Sequence, residues 1–267
     1  MDYFIDELGT YLLSFVLSFV RTLVALTFVP LFEFKQLKAR RLKAAISAGV
    51  SLPIYYQIQE QMFVAERAYD GFVSFLILKE VLIGAVIGYI LAIPFWLFHS
   101  MGALIDNSRG ALSAGYQNPA QGPDAAPLGD LLQKIVVLTL LFAGVLPEMF
   151  KFIYLSHYYW PALSEFPEVK VMAWQTILTA FSQLVTQFVL YAGPVILVLL
   201  LVEAAFAFLG AYSPQLQVYF MAMPAKSLAA LVIVALYFEK ILEFIEREAS
   251  YYFDLPQIFA EMFEVAP

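Results

Sequence analysis

Asp106 and Arg109 are the first residues in this chain whose types and spacing point to chemistry. They stand three apart, one helical turn, which suits an ion pair. The pair lies where an apolar run gives way to residues 101–127, reading MGALIDNSRGALSAGYQNPAQGPDAAP. Gly, Asn, Ser and Pro end helices and build turns, so 101–127 is predicted to be a loop. It begins while the sequence is still apolar, and irregular backbone at membrane depth must pack in protein or line a water-filled cavity. The pair and its loop therefore predict a pore element, or the solute site of a stand-alone secondary transporter.

Other ionisable groups interrupt apolar runs. Glu203 stands inside a long one, where an unpaired carboxylate costs roughly 3 kcal/mol to insert, so it is expected to face protein or water. Such an acid fits a transport carboxylate or a structural partner for another chain. Lys79 and Glu80 are adjacent, about 100° apart on a helix, and are expected not to face one partner together; an interfacial, snorkelling lysine or a buried inter-subunit contact would accommodate them. The two histidines, His99 and His157, lie in separate segments without metal-ligand spacing. There is no phosphate-binding glycine loop and no Ser-His-Asp or Cys-His set in one neighbourhood. No enzyme, cofactor or metal site is expected.

The elements carrying these residues are set by an apolar composition. Of 267 residues 62% are hydrophobic and only 14% charged, with a mean hydropathy of +0.78, which predicts an integral membrane protein with lipid as its main solvent. The net charge of -7 argues against nucleic acid as a partner, and the lack of cysteine excludes disulfides and thiolate chemistry. Asp2, Asp6 and Glu7 stand where a signal peptide has its basic region, so the first apolar run is expected to stay in the protein.

By the requirement of ~20 apolar residues per crossing, about six long apolar segments are found, which gives an all-α polytopic fold. The first, 8–32, is interrupted only by Arg21. The most basic stretch, FKQLKARRLK, follows and is expected on the cytoplasmic side, with the N-terminus outside. A weak second segment, 42–56, is cut by Pro53. The third, 72–99, carries Gly84, Gly88 and Ala92 at four-residue spacing, a small-residue stripe on which another helix should dock. The fourth covers 131–154. Tyr158, Tyr159 and Trp160 after it suit the membrane interface. The fifth, 173–209, is longer than one crossing needs and is expected to break at Gly193-Pro194. Residues 210–226 are expected to link it to the sixth, with a short amphipathic piece between Pro214 and Pro224 that presents Gln215, Gln217, Met221 and Met223. The last helix then runs apolar to Phe238 and continues as an amphipathic, acidic extension.

Three motifs in order, KEVLIGAVIGYILAIPFW at 79–96, GALIDNSRGA at 102–111 and SPQLQVYFMAMPAKSLAAL at 213–231, resemble the SctT/FliR family of type III secretion export-apparatus proteins, the injectisome branch more than the flagellar one. The likeness covers nearly the whole chain. It implies a structural subunit of an export gate: one copy assembling with several SctR/FliP-like and SctS/FliQ-like membrane subunits into a helical, cone-shaped pore for unfolded export substrates. A SctU/FlhB-like switch protein is a further implied partner.

The resemblance further implies a fusion of the two smaller subunits, with 1–170 SctR/FliP-like and 171–267 the SctS/FliQ-like hairpin. The location implied is the bacterial inner membrane, multi-pass and in contact with lipid, the assembled complex projecting toward the periplasm. The loop 106–127 maps onto the family's pore plug, with Asn107, Ser108, Arg109, Gly110, Ala111, Leu112, Ser113, Ala114, Gly115, Tyr116, Gln117, Asn118 and Pro119 at its heart. Lys79, Glu80, Asp106, Glu203 and Lys226 become inter-subunit or buried charges, and Gln215, Gln217, Met221, Met223 and Pro224 hairpin-loop contacts.

Overall fold

A computed structural model describes residues 2–32, 38–65, 73–110, 126–164, 171–213 and 218–263. Among them the chain forms seven α-helices and one short 3-10 turn: α1 Asp2–Phe28, the turn Pro30–Phe32, α2 Lys38–Ala65, α3 Val73–Ser108, α4 Pro127–Phe142, α5 Val145–Tyr159, α6 Val171–Tyr212 and α7 Val218–Phe263. Three helical stretches, Leu8–Phe28, Val73–Ser108 and Phe181–Tyr212, are long and apolar enough to cross a membrane, and the broken pair α4 and α5 raises the number to four. The fold is all-α and polytopic, as expected, with fewer candidate spans than the six apolar segments. In α2 the basic first turns and the polar second half, from Gln57 on, dilute the apolar run.

Four boundaries differ from expectation. α3 runs to Ser108, not to 99. The fourth segment is two helices, separated at Ala143-Gly144, where Gly144 takes φ 76°, a left-handed conformation that glycine adopts without a Cβ clash. α6 passes through Gly193-Pro194 unbroken; an apolar helix tolerates proline where neighbouring groups meet the freed carbonyl. α7 begins at Val218 and is helical through Pro224, so Met221 and Met223 lie in its first turns.

The chain divides into two compact units. The first comprises Met1–Ile93, Gly144–Leu178 and Ser250–Pro267. Its core includes Leu17 of α1, Ile54, Ile58 and Met62 of α2, Leu76 of α3 and Ala162. The hydroxyls of Ser14, Ser18 and Thr22 are buried in α1 without loss, because each donates to a carbonyl three or four residues back. Gly84 and Gly88 are where α1 crosses α3: a Cβ at either position would lie 2.7 Å from the carbonyl oxygen of Arg21 or Ala25. Ala92, next on the stripe, is fully buried. From the end of α7, the buried Tyr252 hydroxyl donates to the Leu91 carbonyl at 2.7 Å.

The second unit comprises Pro94–Ala143 and Thr179–Ala249. α4 buries Leu128, Leu132, Val136 and Leu140, one residue per turn. Tyr191 of α6 stacks between Phe98 of α3 and Phe244 of α7, with ring centroids 6.1 and 4.2 Å away. Its hydroxyl accepts from Arg247 and donates to Glu248 at 3.2 Å. Glu248 is partly buried, and desolvation raises its pKa above the ordinary 4.5 against the opposing effects of Tyr191 and Arg247.

Candidate functional site

The ends of the 101–127 region are described and its middle, 111–125, lies outside the described residues, as do Gln215 and Gln217. The expected loop is shorter than its composition suggests. Asp106, Asn107 and Ser108 form the last turn of α3, Arg109 and Gly110 make a turn, and helix resumes at Pro127. Gly110 adopts φ 83°, and a Cβ there would touch Met223 of α7 at 3.9 Å, an ordinary contact distance.

Asp106 is fully buried. Its Oδ1 accepts from Arg109 Nε at 2.9 Å and Nη2 at 2.5 Å, the ion pair that the spacing predicts. Its Oδ2 accepts from the backbone N–H of Leu128 at 2.7 Å and of Gly129 at 3.3 Å. α4 begins Ala126-Pro127, and Ala126, at the cap position, has no side-chain acceptor. The second and third amides of the helix are the ones a capping side chain normally serves. Asp106 therefore caps α4 from a different helix, and the same carboxylate neutralises Arg109. The backbones meet beside it: a Cβ on Gly102 would lie 2.5 Å from the Cα of Gly129, so only glycine fits both sides.

A second polar cluster is buried in the first unit. Arg21, Lys79 and Glu80 are each at most 1% exposed. Glu80 accepts from Arg21 Nε at 2.6 Å and Nη2 at 2.9 Å. Arg21 also donates to the Ser156 carbonyl at 2.9 Å, which the Trp160 N–H bonds as well, and to the Trp160 carbonyl at 2.8 Å just past the end of α5. Lys79 donates to the carbonyls of Pro161, Ala162 and Ser164 at 3.1, 2.7 and 2.8 Å, using all three ammonium protons. Lys79 Nζ lies 3.7 Å from Glu80 Oε1.

Lys79 and Glu80 hydrogen-bond different partners, and their charged ends still come within 3.7 Å of each other where α1, α3 and the turn after α5 converge. Their partners here belong to this chain. Both cations sit against the negative end of α5, where positive charge is favourable.

In the second unit, Glu203 of α6 pairs with Lys226 of α7 at 3.5 Å. The Glu203 side chain is 59% exposed, on a helix only 11% of whose most apolar window is buried. Leu197, Leu200, Leu201 and Phe208 are exposed around it. His99 Nε2 lies 3.6 Å from Asp130 Oδ1, and among the described residues no three His, Cys, Asp or Glu side chains gather as a metal site would need.

Sequence reasoning missed Arg21 and the Ser156 to Ser164 carbonyls. A signal was present: Arg21 is the lone charge in the first apolar run, and such a charge needs a buried counter-ion. The capping role of Asp106 was also missed; Ala126-Pro127 opens a helix without a local cap, so the acceptor had to come from elsewhere.

The model of bacterial export proteins, family 1, matches residues 12–251 of the chain. Yop proteins translocation protein T of Yersinia pestis is 28% identical over 232 residues, 87% of this chain and 88% of that protein. Surface presentation of antigens protein SpaR of Shigella sonnei is 30% identical over 206 residues, 73% of this chain and 79% of SpaR. Secretion system apparatus protein SsaT of Salmonella typhimurium is 26% identical over 239 residues, 87% and 90% of the two chains. With its apolar spans and the family match over nearly its full length, the chain belongs to the bacterial export proteins, family 1, the SctT/FliR family of type III secretion export-apparatus membrane proteins.

Proposed function

We propose that this chain is a non-enzymatic structural subunit of the type III export gate, present as one copy among several SctR/FliP-like and SctS/FliQ-like subunits. Together they form a pore in the bacterial inner membrane, projecting toward the periplasm, for unfolded export substrates passed on with a SctU/FlhB-like switch protein. Residues 1–170 supply the SctR-like part and 171–267 the SctS-like hairpin. The observation that carries this is the family match over 12–251. The exposed apolar face of α6 supports it: lipid alone would leave the half-exposed Glu203, held by Lys226 on one side only, in hydrocarbon, whereas a neighbouring subunit can hydrogen-bond its open side. Glu203, Lys226, Met221, Met223 and Pro224 then lie at subunit contacts. A solute transporter needs a carboxylate open to its cargo in a polar cavity; Asp106 already has four donors, and Glu203 is paired with Lys226 among exposed leucines and Phe208.

The connection after Asp106 acts as the plug of this pore. Its sequence from 107 to 127 is rich in Gly and Ala with few large side chains, which suits a narrow lumen and costs little to displace. Deleting 110–122 from the assembled gate should raise its ion conductance in planar bilayers while leaving assembly intact. Conductance equal to that of the full-length gate would overturn the plug.

A further inference from the structure

We propose that α2 carries a binding site for one anionic phospholipid, whose phosphate rests on Arg41 and whose acyl chain lies along the exposed row Ala45, Gly49, Leu52 and Tyr56. The site is independent of the gate function and needs only α1 to cross a membrane. α2 returns along α1 in the opposite direction: Lys43 Nζ donates to the Thr27 carbonyl at 3.4 Å, and Ser14 Oγ donates to Met62 Sδ at 3.0 Å. The first turns of α2 therefore stand beside the end of the span Leu8–Phe28, whose 21 residues rise about 31 Å, the thickness of a hydrocarbon core. Arg41 is thereby placed at headgroup depth.

The charge at this depth is one-sided. Lys35, Lys38, Arg40, Arg41 and Lys43 fall within nine residues, and no acid occurs between Glu33 and Glu60. Arg41 is exposed, and among the described residues no carboxylate pairs with Arg41 or Lys43. Cations in the first turns of a helix face the positive end of its dipole, so they do not stabilise α2 itself, and an anion from outside the chain balances them. Beyond Arg41, the residues Ala45, Gly49, Leu52 and Tyr56 follow three or four apart on one helix face, and all are exposed. The row is a furrow. A Cβ on Gly49 would meet nothing within 4 Å, and Leu52 and Tyr56 stand proud at its far end. Arg41 to Leu52 spans about 16 Å of helix, close to half of a ~30 Å core. A cation at the headgroups above an apolar furrow one leaflet deep matches a phospholipid. An acidic partner helix is matched at one end only, because no cation follows Lys43 until Arg67.

The experiment uses the full chain, extracted in mild detergent in whatever assembly it forms, with native mass spectrometry counting the lipid retained after addition of dioleoylphosphatidylglycerol or dioleoylphosphatidylcholine. Wild type should hold one phosphatidylglycerol in preference to phosphatidylcholine. Arg41→Gln leaves four cations in the stretch to orient the chain, and should lower phosphatidylglycerol occupancy roughly fivefold, as expected for one cation at an anionic surface. Arg41→Lys should keep the preference. Gly49→Leu fills the furrow without a clash in the chain and should lower retention of both lipids. Lys151→Gln, at an exposed cation of α5, should change nothing. Equal retention of the two lipids by wild type, or wild-type occupancy in Arg41→Gln or Gly49→Leu, overturns the site. A loss with Lys151→Gln or Arg41→Lys as large as with Arg41→Gln overturns it too, the first because the lipid is then a general annulus and the second because charge is then not what holds it. The chain has no cysteine of its own, so cross-linking of Gly49→Cys to a neighbouring protein would place protein on the furrow and overturn the lipid site as well.

Discussion

Replacing Glu80 by Leu removes the carboxylate that accepts from Arg21 at 2.6 and 2.9 Å. Arg21 keeps the Ser156 and Trp160 carbonyls but holds a full charge at 0% exposure without the carboxylate that paired it. Two hydrogen bonds to charged groups at about 1.5–3 kcal/mol each give about 3–6 kcal/mol. Breaking one side of a buried pair costs about 3–5 kcal/mol. The expected loss is therefore about 4 kcal/mol, roughly a thousandfold in the folded ratio, a large part of the ~5–15 kcal/mol that domains possess.

Removing Arg21 as well, as Arg21→Met with Glu80→Leu, eliminates the stranded charge and leaves Lys79 on its three carbonyls. The double variant should be more stable than the two single losses summed, with a coupling of about 2–3 kcal/mol. Thermal aggregation of the protein in detergent extracts, with its steady-state level in membranes, reads both effects. A Glu80→Leu loss below about 1 kcal/mol, or simple additivity in the double variant, would refute a buried network that locks α1, α3 and the turn after α5.

Gly88→Ala puts a methyl group 2.7 Å from the Ala25 carbonyl oxygen and 2.9 Å from its Cα, forcing α1 off α3 at about 1–3 kcal/mol, which the same thermal assay detects. Tyr252→Phe leaves the Leu91 carbonyl without its hydroxyl partner, and the melting curve should shift by the equivalent of about 1–2 kcal/mol. For Glu248 the folded pKa is raised above the unfolded value, so its contribution favours the folded state below the unfolded pKa and is lost as pH rises through the folded one. Glu248→Gln should therefore look best relative to wild type at neutral pH, with its advantage shrinking as the pH is lowered through the raised pKa; a difference between the two that is constant with pH would refute the assignment.

The long helices were legible because 8–32, 72–99 and 173–209 are apolar for more than a membrane's thickness, and no local rule competes with that. The end of α3 was misjudged for a physical reason. Gly102, Asp106, Asn107 and Ser108 have turn composition, yet Gly102 is there to admit Gly129 and Asp106 to cap α4, and those contacts hold the residues in a helix. Composition reports a residue's local preference; the partner that overrides it lies 22 positions away. The Arg21, Lys79 and Glu80 cluster was half legible. Each charge in an apolar run asks for a partner, but the partners lie 59 to 139 positions apart in sequence, and periodicity carries no information at that range. Asp106 and Arg109 were paired in advance because their separation is one turn, the range at which spacing does determine contact.

The native mass of the complex containing this chain, after mild detergent extraction, tests the central claim most directly. It should be measured for the chain expressed alone and together with the SctR-like and SctS-like subunits. A discrete complex with one copy of this chain, formed only on co-expression, is the predicted result. A stable, monodisperse species of this chain alone, unchanged by the other subunits, would contradict a gate subunit.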